Sequence, residues 1–361
     1  MAEKIDPWAS EQSIDYSKLF EEFGMSRMDD SLVRKLSFRL AERGILFAHR
    51  DLDLWLTDAE EGKEVAVMSG IKPSSEFHLG SKLTAEEIIF FQKKFKAKVF
   101  YAIADLEAYA DNGLTLEETH ETAVSNVADL LALGLDEKNA HIYKQSQERR
   151  VMQMAYVFSK RATPATLRAL YGERNYSLYF AALTQVGDIL LPQHKDFGGP
   201  KRVIVPVGVD QDPHIRLARD IAFKEKLVLP GATYHLIMRS LKGESKMSKR
   251  DPGSTLSLSD PPEVAKKKLS SVFTGGRTTA EEQKRDGGEI AKCVLFDLMR
   301  YHFVDDEKTL AKMSADCKSG AVLCGECKAR YIKYALDWLS AHQEKKKKML
   351  PKARKLLEDA E

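Results

Sequence analysis

The chain has 361 residues, of which 43% are hydrophobic and 30% charged, the make-up of an ordinary globular protein with room for two domains and a sizeable core. Its formal net charge is only +2, so bulk charge does not announce nucleic-acid binding, and any such binding must come from local basic patches. No apolar run approaches the roughly 18 residues of a membrane helix, and the opening MAEKIDPWAS lacks the apolar core of a signal peptide, which together predict a cytoplasmic protein with no membrane partner.

Residues 1–64 mix helical patterns (16–23 and 30–43) with a short apolar run, Gly44-Ile45-Leu46-Phe47-Ala48. They read as an N-terminal extension packed on the main domain. Between 65 and 258, strand-like and helical segments alternate. The expected strands are 64–68, 98–104, 140–143, 202–207 and 233–237. Helical patterns fall at 83–95, 116–133, 148–159, 179–190 and 213–222. Alternation of this kind predicts an α/β fold: a Rossmann-type parallel sheet whose ligands sit at the carboxyl ends of the strands. From 259 to 361 the strand signals stop, and helices are expected at 289–301, 306–315 and 324–354. This is a C-terminal helical domain. The run Glu344-Lys345-Lys346-Lys347-Lys348 reads as a solvated helix face, with a phosphate-contacting ridge as the functional alternative.

All four cysteines (Cys293, Cys317, Cys324 and Cys327) lie in the last quarter of the chain, the last two as a CxxC. A zinc site would need all four, or a histidine at suitable spacing. Cys293 is far away in sequence, and the stretch reads as helical. The expectation is free thiols and no metal.

Two short runs carry the chemistry. Pro73-Ser74-Ser75-Glu76-Phe77-His78-Leu79-Gly80 follows the apolar Val65-Ala66-Val67-Met68 and precedes a helical pattern. Strand, Gly/Pro/Ser turn and helix place backbone N–H groups and the positive end of a helix at one spot, which suits a phosphate. Lys246-Met247-Ser248-Lys249-Arg250 puts two lysines three apart after a glycine-containing loop. In this order, the pair resembles the HIGH and KMSKS signatures of class I aminoacyl-tRNA synthetases.

Further runs resemble tryptophanyl-tRNA synthetases in particular. They are Gly70-Ile71-Lys72-Pro73-Ser74, Gln185-Val186-Gly187-Asp188-Ile189-Leu190, and Pro206-Val207-Gly208-Val209-Asp210-Gln211-Asp212-Pro213-His214, continuing through Phe273-Thr274-Gly275-Gly276-Arg277 to Ser319-Gly320. Asp6-Pro7-Trp8 and Ala104-Asp105-Leu106-Glu107-Ala108-Tyr109 are similar to archaeal members. The resemblance implies activation of L-tryptophan by ATP with Mg2+, transfer to tRNA(Trp), and a homodimer formed through the segment at about 110–180. It implies catalytic roles for His78, Lys246 and Lys249. Ser74, Gly80, Ser81, Gln211 and Ser248, with both lysines, would hold ATP. Met68, Glu107, Gln185, Asp188, Asp210 and Gln211 would line the substrate site, with Asp188, ionised, accepting the indole N–H. The helical domain would bind the anticodon.

Ser81 replaces the second histidine of the HIGH pattern, and Arg250 the final serine of KMSKS. Eukaryote-like tryptophan enzymes carry Tyr at the place of Met68 and Gln at that of Ala102; both are missing here. The nearest rival family, the tyrosyl enzymes, shares the Asp at position 188 but usually carries Tyr where Met68 stands.

Overall fold

The five apolar runs between 65 and 235 all become strands. Val65–Ile71, Lys98–Ile103 and Arg202–Gly208 are mostly buried and rich in Val, Ile and Ala, as strands covered on both faces are, whereas Ala140–Lys144 is buried only at Ile142 and Tyr143. In the computed structural model, which describes residues 6–8, 20, 23–243 and 252–358, one sheet contains β1 (Ser26–Arg27), β2 (Leu46–Arg50), β3 (Val65–Ile71), β4 (Lys98–Ile103), β5 (Ala140–Lys144), β6 (Arg202–Gly208) and β7 (Gly231–His235). The order is β1-β2-β7-β6-β3-β4-β5. β7, β6, β3, β4 and β5 pair in parallel. The N-terminal segment adds β2 antiparallel to β7, and β1 antiparallel to β2. The apolar run at 44–48 is therefore a sheet strand, with Leu46 and Ala48 wholly buried.

Helices fill the crossovers where expected, with ends set by local chemistry. Leu116–Leu133 starts at a reciprocal cap: Thr115 accepts from the Glu118 N–H, and Glu118 accepts from the Thr115 N–H. The pattern at 30–43 splits into Asp30–Leu36 and Arg39–Glu42, because Ser37 takes a left-handed backbone, φ 43°. The expected helix at 289–301 is shorter: Val294–Leu298 passes into a wide turn, Met299–Phe303, in which Met299, Tyr301, His302 and Phe303 are all buried. The extra residue of such a turn lets neighbouring side chains face the core.

The chain forms two compact units. The first comprises Met1–Glu76, Thr84–Leu236 and Met349–Glu361; the second comprises Phe77–Leu83 and Ile237–Lys348. In the first, helices Arg149–Ser159 and Tyr176–Leu190 pack closely. Gly187 is required there, since a Cβ on it would lie 2.8 Å from the Val151 carbonyl oxygen. Helix Asp212–Lys224 is anchored at its start. The Asp212 carboxylate, fully buried, accepts from Arg50 Nε at 3.0 Å, Arg50 Nη2 at 3.2 Å and the Tyr234 hydroxyl. A buried, bidentate, hydrogen-bonded pair fixes geometry strongly, and here it holds the Asp210-Gln211 turn that precedes the helix. The second unit contains Pro262–Ser270, Ala280–Asp286, Val294–Leu298, Glu307–Lys318 and most of the long Cys324–Glu358. Among the described residues, no helix is long and apolar enough to cross a membrane.

Candidate active site

Helix Tyr176–Leu190 places Gln185 and Asp188 one turn apart on one face. Helix Asp105–Asn112, at the carboxyl end of β4, presents Glu107. Gln185 Nε2 donates to Glu107 Oε2, and Lys72 Nζ lies 3.7 Å from Glu107 Oε1. Asp188 is 2% exposed. It accepts from the Tyr143 hydroxyl at 2.9 Å and from Gln145 Nε2 at 2.5 Å. Burial pushes its carboxyl up to about 7, further helped by Glu107 and Asp105, against the pull of those two hydrogen bonds. The expectation of an ionised Asp188 thus meets a burial that disfavours the charge.

Tyr143 and Gln145 were not legible as site residues. Tyr143 pairs with Ala102 across the β4–β5 ladder. Tyr143 and Gln145 both bond to Asp188, from the strand beside β4 and from its end, where sequence alone gives no signal of the contact. Met68 lies in β3, 5% exposed and paired with Phe100. Gln211 closes the turn Val209–Gln211 after β6 and donates to Asp210 Oδ2 at 3.3 Å.

The segment Asp6-Pro7-Trp8 joins the same group of residues. The Trp8 indole N–H donates to Glu107 Oε1 at 3.1 Å, and Gln211 Nε2 donates to the Pro7 carbonyl at 3.4 Å. The Trp8 ring meets Tyr171 at 5.2 Å and His214 at 5.4 Å. Arg174 sits 5.8 Å over it and pairs with Asp6. Burial pushes His214 down to about 3, so its ring is neutral. It shares a 2.9 Å hydrogen bond with the Tyr171 hydroxyl. The sequence had offered this segment only as a family likeness.

In the second unit, His78 folds back over the start of helix Leu79–Phe95. Its Nδ1 accepts from the Gly80 N–H at 3.0 Å and the Ser81 N–H at 3.4 Å. With Nδ1 used as acceptor, the neutral ring carries its proton on Nε2. Gly80 is required by this fold-back, since a Cβ there would lie 2.9 Å from His78 Cε1. His78 also bridges to Ser257, and the Leu79 N–H bonds to the Leu256 carbonyl at 3.2 Å. Ser74, half-buried, belongs to the first unit. Lys246, Ser248 and Lys249 lie outside the described residues.

A family model described as tRNA synthetases class I (W and Y) matches residues 60–337. The chain belongs to this family. It is 44% identical to the tryptophan–tRNA ligase of Methanopyrus kandleri, over 90% of this chain and 88% of that one. It is 40% identical to the Aeropyrum pernix enzyme of the same name, covering 99% and 98%. The crystal structure of the Aeropyrum pernix tryptophanyl-tRNA synthetase superposes with a TM-score of 0.90, covering 98% of each chain. That of Plasmodium falciparum superposes at 0.87 with 28% identity, covering 96% and 98%. The Rossmann-type reading of the sheet stands.

Proposed function

We propose that the chain is a tryptophan–tRNA ligase that activates L-tryptophan with ATP and transfers it to tRNA(Trp). The observation that carries the reading is full-length similarity to five curated archaeal tryptophan–tRNA ligases at 38–44% identity. The tyrosyl alternative is not favoured by them. In the activation step the substrate carboxylate attacks the α-phosphate of ATP, and pyrophosphate leaves. Little covalent work falls to the protein, so position and charge do most of it. His78, donating from Nε2, and the N-terminal end of helix Leu79–Phe95 serve the phosphates. Lys246 and Lys249 neutralise the leaving pyrophosphate, with Ser248 beside them, and Ser74, Gly80 and Ser81 line the nucleotide site. Glu107 and Gln185 take the substrate ammonium. Asp188 accepts the indole N–H between Tyr143 and Gln145, with Met68 as an apolar wall. Asp210 and Gln211 lie on the adenosine side of the amino acid.

Among the described residues, no three acidic, histidine or cysteine side chains are placed to hold a single metal ion. Mg2+ enters this reading only as the partner of the ATP phosphates, its usual mode of binding. The homodimer reading is supported by exposed apolar side chains concentrated at 109–180: Tyr109, Met152, Tyr156, Val157, Tyr176 and Phe180. The segment 259–361 is assigned to the anticodon.

ATP–pyrophosphate exchange with each of the twenty amino acids tests the reading. Exchange supported by tryptophan is expected. Exchange with tyrosine instead, or with none, would overturn it.

A further inference from the structure

Helix Leu79–Phe95 carries an acidic residue where charge is costly. Glu87 is fully buried, and a carboxylate in such a place needs partners. Two come from β7, whose alternate residues Thr233 and His235 lie on one face of the sheet. Thr233 Oγ1 donates to Glu87 Oε2 at 2.9 Å, and His235 Nδ1 lies 2.8 Å from Glu87 Oε1. All three residues belong to the first unit.

The pair fixes the imidazole. Nδ1 faces a carboxylate and so carries a proton, which makes Nε2 of the neutral ring an acceptor. His235 is the last residue of β7 and pairs with Gly208, the last residue of β6. These are the carboxyl ends of parallel strands, where the ligands of such sheets sit. His235 is only 6% exposed. Its Nε2 nevertheless has no hydrogen-bond partner among the described residues, and it is not sealed from solvent as Nε2 of His214 is. A tie between helix and sheet would need Nδ1 alone. The second nitrogen, left open at the ligand edge, is what a tie does not explain.

Its surroundings define what it can bind. A Cβ on Gly208 would lie 2.5 Å from Asp210 Oδ1 and 3.8 Å from His235 Nε2. The spot beside the bare Gly208 backbone is thus flanked by a carboxylate oxygen and an imidazole acceptor. Two acceptors disfavour a phosphate and favour a group that offers O–H donors. Neighbouring hydroxyls on one sugar offer two, and the ribose of ATP carries such a pair.

We propose that His235, held in place by Glu87, binds the ribose hydroxyls of ATP beside Asp210. The inference rests on the proposed function and adds to it a nucleotide-binding residue, His235, and a positioning residue, Glu87.

The test uses the full-length chain and ATP–pyrophosphate exchange with tryptophan. His235→Asn keeps an N–H for Glu87 but lacks the outer nitrogen. It should raise KM for ATP about tenfold with kcat nearly unchanged, the mark of a contact made equally before and in the transition state. With 2′-deoxy-ATP and 3′-deoxy-ATP, the same substitution should cost much less for the nucleotide whose missing hydroxyl met Nε2. Glu87→Gln, which weakens the hold on the ring, should give a smaller rise with the same pattern among nucleotides. Equal factors for all three nucleotides, or an unchanged KM for ATP, would leave His235 as a tie between helix and sheet and overturn the proposal. Should the variants fail to fold, the wild type decides. Modification of His235 by diethyl pyrocarbonate, located by mass spectrometry, should be slowed by adenosine and not by 2′,3′-dideoxyadenosine. Equal protection by both, or by neither, overturns the proposal. A wild type without any exchange would overturn the proposed function and this inference with it. Normal exchange with tryptophan and the wrong nucleotide pattern overturns this inference alone.

Discussion

In the proposed function, selection of the side chain turns on Asp188. Its carboxyl sits near 7 in the folded chain, against 3.8 as the ordinary value. As pH rises from about 4 to 7, the unfolded chain loses this proton before the folded one does. Folding stability attributable to Asp188 therefore falls across that window, by an amount on the order of 4 kcal/mol at most. Urea denaturation at the two ends of the window should show the fall in the wild type, and Asp188→Asn should lack it. Function runs the other way. The ionised carboxylate is the better acceptor for an indole N–H, so kcat/KM for tryptophan should rise as pH passes about 7. At pH 8, Asp188→Asn should lower kcat/KM for tryptophan roughly 10–150-fold. It should affect far less an analogue whose ring N–H is replaced by sulfur. Equal losses for both substrates would send the search for the indole partner to Tyr143 or Gln145. Trp8 holds one oxygen of Glu107 while Gln185 holds the other. Trp8→Ala should raise KM for tryptophan about tenfold by freeing that carboxylate from its position, with Trp8→Phe falling between. An unchanged KM would make the segment mere packing.

At the scale of elements, the turn into helix Leu79–Phe95 is the one whose chemistry its sequence states most plainly. His78 needs Gly80, because the imidazole lies where a Cβ would be. Gly80→Ala should displace the ring, with kcat in pyrophosphate exchange falling on the order of 10²-fold. Stability should change only by about 1 kcal/mol, the usual cost of a lost cap. A variant with normal kcat would detach His78 from the reaction. β3, β4 and β6 were legible because strands buried on both faces read as near-continuous apolar runs. β2 was legible only as an apolar run, since its place in the sheet depends on pairing with β7. The break at Ser37 was hidden, because a serine with φ 43° carries no signal in the chain. Gln185 and Asp188 were readable as neighbours on one helix face from their spacing, and Glu107 only from family likeness. Tyr143 and Gln145 were not, because only the crossover between β5 and the helix at 176–190 brings them to Asp188.

For the whole molecule, the basic run near the C-terminus is less uniform than its letters. Lys346 is 8% exposed and donates to Ser259 Oγ at 2.6 Å. Lys347 pairs with Glu344, Lys352 with Glu137 and Arg354 with Glu121. Any phosphate ridge is therefore limited to the exposed part of the run. Replacing Lys345, Lys347 and Lys348 with Ala should flatten the salt dependence of tRNA charging by a fraction of its slope. It should leave tryptophan activation unchanged, whereas Lys346→Ala should chiefly lower stability. If the slope does not move, the run is a solvated helix face.

The contact of Trp8 with Glu107 also has an optical consequence. The chain has three tryptophans. Trp55 is 1% exposed, and Trp338 is stacked on His342 in the second unit. Of the three, Trp8, among His214, Arg174 and Glu107, is the ring bonded to a residue that the proposed function assigns to the amino acid. With Trp55 and Trp338 replaced by Phe, the remaining emission should shift on titration with a tryptophan analogue that does not itself fluoresce. The midpoint of that shift should match the KM of activation, so that the protein carries in its own first residues a gauge of how full its pocket is.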